Sequence, residues 1–374
     1  MKRRMLSFLL FLSAVAAICL ISGVEFSRMW EDPPIFPSAS LSRVQYLSDW
    51  FPGIKGSAMD SPVYVFEGEQ EGARVLLLGG THANEPAGAV SVITLVENIE
   101  VSRGTLFLVP WANHSAVTHT DPMEGTPQFF SIPLEGGGSR VFRFGSRRTN
   151  SIHQWPDPTV YLHPMGGQLG GQETLNLNRS YPGAPDGNPT EKVAYAILEL
   201  IREEGISVAV DLHESSPEYP VNNAIVFHPD AGELAIMAQM NMEMEDIAIR
   251  LEESPANLRG LSHREWGDSS DTLAILLEVS NPSQGRMRGK TDEPLILTGK
   301  DPFYVRAAQR GQLFVPYDET GYSLDLRVAR HLVTFYALLD AWNLLFPDQP
   351  VEVQNVPGYE QILEHSVGSF LKEG

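Results

Sequence analysis

Val75-Leu76-Leu77-Leu78-Gly79-Gly80-Thr81-His82-Ala83-Asn84-Glu85-Pro86 is the stretch on which the reading of this chain turns. Four apolar residues without alternation read as a strand covered on both faces. Two glycines break it. Pro86 then stands at the first-turn position of a helix in which Ala89, Val92, Ile93 and Val96 recur at helical spacing. A strand that feeds a polar turn and then a helix is the repeating unit of an α/β sheet.

The pattern continues outward. Strand-like runs at 63–66, 105–109, 208–212, 224–227 and 273–277 are also continuous rather than alternating. A second helix carries Val193, Ala196, Ile197, Leu200 and Ile201. Asn188 caps it, Pro189 starts it, Glu191 completes a capping box and Gly205 stops it. A third is expected to open at Asp230, with Met237, Met240, Met244, Ile247 and Leu251 on one core-facing stripe. The last carries Val328, Leu332, Phe335, Leu339 and Trp342 and ends before Pro347. Between 111 and 175 the pattern fails in a Gly-, Pro- and Ser-rich stretch expected to act as an irregular lid.

Of 374 residues, 43% are hydrophobic and 20% charged, a globular balance. Lys+Arg 27 against Asp+Glu 47 leaves −20, which argues against nucleic acid as a partner. Cys19 is the single cysteine, so internal disulfides and thiolate zinc clusters are excluded. Lys2-Arg3-Arg4 precedes an apolar run from Met5 to Val24, which reads as a signal peptide or an N-terminal membrane anchor at 1–24. A proline-rich linker is expected at 25–60, the main domain at 61–346 and a C-terminal tail at 347–374.

Three polar features directly follow strand-like runs: the His82–Glu85 turn, His213-Glu214 and Glu278. Side chains at the carboxyl ends of strands in one α/β sheet converge on one edge, where ligands bind. His82 and Glu85 lie about one turn apart and can grip one ion, with His213 as a third ligand. Two histidines and one glutamate leave a position open for water, the pattern of a catalytic zinc site. Such a site needs a carboxylate outside the metal's ligands to move protons, and Glu278 stands where that role requires. Asp211, two residues before His213, is a candidate to orient it. His114, His119, His153, His163, His228, His263, His331 and His365 read as surface or satisfied core histidines.

Gly79-Gly80-Thr81-His82-Ala83-Asn84-Glu85 resembles the zinc-binding signature of the succinylglutamate desuccinylase and aspartoacylase family, within the zinc carboxypeptidase superfamily. Leu177-Asn178-Arg179-Ser180-Tyr181-Pro182-Gly183 resembles its Asp-Leu-Asn-Arg motif, and Asp211-Leu212-His213-Glu214 its third-ligand motif. Glu278 falls where the family has its catalytic glutamate. The likeness spans roughly 60–345 of the sequence. It implies a zinc carboxypeptidase-like, three-layer α-β-α fold around a mixed, largely parallel sheet. It implies one zinc ion (Zn2+) per chain on His82, Glu85 and His213, with Glu278 as general base and then general acid. It further implies that Arg179, with Asn178, holds a substrate carboxylate, as a guanidinium fork does through paired hydrogen bonds.

Three departures stand out. Asn176 occupies the usual place of an aspartate. No arginine shortly precedes the Asn178-Arg179 motif to stabilise an oxyanion, which leaves Arg140, Arg143, Arg147 and Arg148 as replacements. Residues 282–322 form a candidate insert, with Arg286, Arg288, Lys290 and Lys300 read as solvated loop charges. The expected activity is an exported, extracytoplasmic zinc amidohydrolase acting on a small carboxylate-bearing amide or peptide, of the N-acyl amino acid deacylase type. A metallocarboxypeptidase for peptides or cell-wall fragments and a zinc-retaining binding protein are the alternatives.

Overall fold

The structure is a computed structural model that describes residues 2–28, 30–121 and 125–373. The chain forms two units that divide between Pro34 and Ile35. The first contains α1 (Lys2–Arg28), an exposed apolar helix long enough to cross a membrane by length and composition.

The second unit holds everything else. In chain order its elements begin β1 (Arg43–Tyr46), β2 (Pro62–Glu67), β3 (Gln70–Leu78), α2 (Pro86–Asn98), β4 (Glu100–Val109) and α3 (His114–Val117). There follow β5 (Phe129–Pro133), β6 (Ser139–Arg143), β7 (Val160–Leu162), β8 (Gln168–Gly170), α4 (Pro189–Glu203), β9 (Val208–Ser215) and β10 (Ala224–Phe227). The chain closes with α5 (Gly232–Met244), β11 (Arg250–Glu253), α6 (Ser262–Ser269), β12 (Leu273–Ser280), α7 (Glu293–Thr298), α8 (Pro302–Gln309), α9 (Leu324–Leu345), β13 (Glu352–Gln354) and α10 (Tyr359–His365).

A mixed sheet runs β1-β2-β4-β3-β9-β12-β10-β11, with β13 beside β4. Its centre, β4-β3-β9-β12, is parallel, and antiparallel pairings flank it. The two-residue period of a strand sends Val75, Leu77, Val208, Val210 and Leu212 to one face, where α2, α5 and α9 cover them. Leu76, Leu78, Phe107 and Ala209 point the other way, under α4 and Trp266 of α6. Both faces are therefore dry, which is why these strands read as unbroken apolar runs.

Differences from the expectations have local causes. Within 25–60, Ile35 onward belongs to the second unit, and β1 extends the sheet by pairing with β2. Likewise 347–374 contributes β13, and Val351, Ile362, Val367 and Leu371 are buried. In 111–175, apart from the undescribed 122–124, two hairpins form, β5–β6 and β7–β8. The methionine stripe does not hold. The helix ends at Met244 and Asp246 turns to a φ of 58°, so Ile247 and Leu251 lie outside it. Leu234, Ala235, Ala238 and Met242 face the core instead, while Met240 and Met244 are exposed.

Candidate metal centre and active site

The first turn after β3 is built by close approach. Gly80 adopts a φ of 64°, and a side chain at Gly79 would meet the Gly88 carbonyl oxygen 2.6 Å away. Only glycine admits both conditions. Pro86 then starts α2 with Glu85 immediately before it, so the carboxylate lies at the positive end of the helix dipole.

Register does the rest. Parallel β9 and β12 pair His213 with Glu278, and β3 pairs Leu78 with Asp211. His82, Glu85 and His213 come together as a buried group whose ligand atoms all lie within 4.8 Å of one another. Glu278, Asn178, Arg179 and Arg147 line the same cavity of about 370 Å³. His82, Glu85, His213, Glu278, Asn178 and Arg179 thus line one cavity.

The hydrogen bonds around the two imidazoles do not balance. His82 Nδ1 lies 2.8 Å from Glu85 Oε1, and its Nε2 lies 2.9 Å from Asn176 Oδ1. The Asn176 amide is oriented by its neighbours: Nδ2 donates to Glu173 Oε2, and Oδ1 accepts from the Asn178 N–H. His213 Nδ1 lies 3.0 Å from Glu85 Oε2, and its Nε2 lies 2.9 Å from Asp211 Oδ2, close but off the hydrogen-bond direction. All four ring nitrogens therefore face acceptors, and two neutral imidazoles supply two protons for them. Two of the four contacts therefore lack a proton. With protons on the two Nε2 atoms, both Nδ1 lone pairs turn toward the Glu85 carboxylate, the donor set of a divalent cation.

In the metal-free chain the two rings differ, and a proton held on His213 would fill one of the two vacant positions. Burial opposes charge on His213, but Asp211 and Glu85 overcome it and raise its pKa to about 10. Burial and the Arg147 charge push His82 down to about 4. Against its burial, the two imidazoles hold Glu85 well below the usual carboxylate range. Glu278 is raised to about 8 by burial, and its Oε2 has no hydrogen-bond partner.

The arginine question resolves by position. Arg140 is buried against Glu97, and Arg148 pairs with Glu173 at 3.1 Å. Arg143 is buried beside Phe142 and Val117, away from the main cavity. Arg147 alone of the four lines that cavity, with Nη1 3.3 Å from Glu85 Oε1. Asn176 as a partner of His82 was missed, although it stands immediately before the quoted Leu177–Gly183 stretch. His263, expected to be a bystander, forms part of the cavity wall and bonds Ser254 Oγ at 2.9 Å. His331, expected to be satisfied, is fully buried with neither ring nitrogen bonded. No short-range sequence signal marks either histidine.

No known protein family matches the chain, and no curated protein matches its sequence. Similar solved structures include a succinylglutamate desuccinylase from Silicibacter sp. TM1040, 19% identical over 68% of this chain and 66% of that one, with a TM-score of 0.39. Another is the cell shape determinant protein Csd4 from Helicobacter pylori, 13% identical over 78% of this chain and 54% of that one, TM-score 0.44. A metallo-carboxypeptidase from Burkholderia cenocepacia is 12% identical over 82% of this chain and 66% of that one, TM-score 0.46. The chain thus spans just under two thirds of the first of these and about half of the second.

Proposed function

We propose that this chain is an exported zinc-dependent hydrolase that cleaves an amide bond beside a carboxylate, of the N-acyl amino acid deacylase type. The observation that carries it is the buried Glu85 carboxylate between two imidazoles whose ring nitrogens lack protons for all their contacts. His82, Glu85 and His213 would hold one zinc ion. Bound there, zinc supplies a water of lowered pKa and polarises the substrate carbonyl.

The remaining roles belong to this chain's side chains. Glu278, beside His213 on the next strand, is placed to take a proton from the attacking water and return it to the leaving nitrogen. Arg179 offers a planar fork to the substrate carboxylate from the cavity wall. Asn178 accepts from the Ser262 N–H at 2.9 Å and so fixes this wall to α6. Arg147 stands beside the ligands, where it can stabilise negative charge that develops on the carbonyl oxygen. In this reading α1 serves as the export signal or anchor.

One feature favours a carboxypeptidase instead. Val226, Leu261 and Leu276 also line the cavity, an apolar wall suited to an amino-acid side chain. The two readings separate in a hydrolysis panel of zinc-loaded protein on N-acyl amino acids and blocked dipeptides. Turnover of the first class supports the deacylase. Turnover of dipeptides alone supports the carboxypeptidase, and turnover of neither rejects both.

A further inference from the structure

Glu214 follows His213 on β9, so the two side chains leave opposite faces of the sheet. On the face covered by α2 and α9, Glu214 Oε1 accepts from Arg327 Nη1 of α9 at 2.6 Å, and both side chains are fully buried. Glu214 Oε2 accepts from the Ala87 N–H in the first turn of α2 at 2.9 Å. The backbone N–H of Glu214 donates to Glu85 Oε2 at 3.0 Å. Arg327 spends its other donors on Ile296 O of α7 and on Ser323 O.

One continuous set of bonds therefore joins α7 and α9 to the Glu85 carboxylate and to the helix that begins beside it. A buried ion pair is a poor device for stability alone, because well-packed apolar residues of similar size often serve as well. Together with the Ala87 N–H it fixes both oxygens of Glu214 at once, which an apolar pair cannot do. We propose that Arg327 is a positioning residue of the metal centre: through Glu214 it sets the orientation of Glu85 toward the cation. This role also gives the 282–322 insert a function that its surface charges do not, since α7 anchors the guanidinium. The inference rests on the metal reading of His82, Glu85 and His213.

The test measures zinc affinity of the full chain by competition with a chromogenic chelator, alongside thermal unfolding of the metal-free protein. Arg327→Met leaves a buried carboxylate without its counter-charge and can fail to fold. The informative variants are therefore Glu214→Gln/Arg327→Met and Glu214→Gln/Arg327→Leu, neither of which buries an unpaired charge. Both are expected to unfold cooperatively and to bind zinc roughly 10- to 100-fold more weakly than wild type, as loss of a ligand-orienting partner does. Wild-type affinity in either folded variant overturns the inference and leaves the metal reading intact. A wild-type chain that binds no zinc removes both.

Discussion

At the scale of single residues, the site is a problem of counting donors. Glu85 shares its two oxygens with two imidazoles whose other nitrogens face Asn176 and Asp211. His82, Glu85 and His213 were legible in the sequence because each comes directly after a continuous apolar run, although β9 itself extends through His213 to Ser215. Asn176 was legible only as a departure from a motif. Its amide stands between the His82 ring and the Glu173 carboxylate, which places a negative charge one hydrogen bond further from the imidazole. Two predictions belong here. Glu278→Gln should retain zinc and lose about 10²- to 10⁴-fold in kcat, the scale of a positioned general base; steady-state kinetics with metal analysis checks both halves. Arg179→Ala should raise KM for carboxylate-bearing substrates roughly 10- to 100-fold, the worth of hydrogen bonds to a charged group. An unchanged KM would move carboxylate recognition to another residue.

At the scale of elements, parallel register turns three distant sequence positions into neighbours. His213 pairs with Glu278, and Leu78 with Asp211, so a slip of one residue between β9 and β12 would put Glu278 on the wrong face. The central strands could be read because burial on both faces leaves a continuous apolar run. β11, Arg-Leu-Glu-Glu at the sheet edge, and the three-residue β13 carry no such run and gave no signal. The start of α4 was readable for a different reason, since capping chemistry is local. The Asn188 side chain accepts from the Glu191 N–H, and the Glu191 carboxylate accepts from the Asn188 N–H, both at 2.9 Å. Asn188→Ala should cost about 1 kcal/mol in urea unfolding. No loss would mean that packing of Val193, Ile197 and Leu200 alone sets that helix start.

At the scale of the whole molecule, the buried histidines make stability depend on pH. Burial lowers His263 and His331 from 6.5 to about 3, the nearby His213 charge adding to it. A folded value below the unfolded one means that the folded chain prefers the neutral ring. Their contribution is complete above about pH 6.5 and is lost progressively toward pH 3, where the unfolded chain binds protons that the native chain does not. Buried carboxyls held above their usual range, Glu278 among them, act in the opposite sense, so the test is a comparison: between pH 7 and pH 5 the urea midpoint of His331→Gln should drop less than that of wild type, and an equal or larger drop would contradict the assignment. Zinc adds a second dependence: at a hundred times its Kd it should stabilise the native state by about 2.7 kcal/mol, removable by a chelator.

The central claim concerns a single point in space, and anomalous diffraction at the zinc edge from zinc-soaked crystals tests it most directly. The account predicts one strong peak bonded to Nδ1 of His82, Nδ1 of His213 and the Glu85 carboxylate, with Glu278 alongside and unbonded. Zinc located elsewhere, or none at these three side chains, would contradict it.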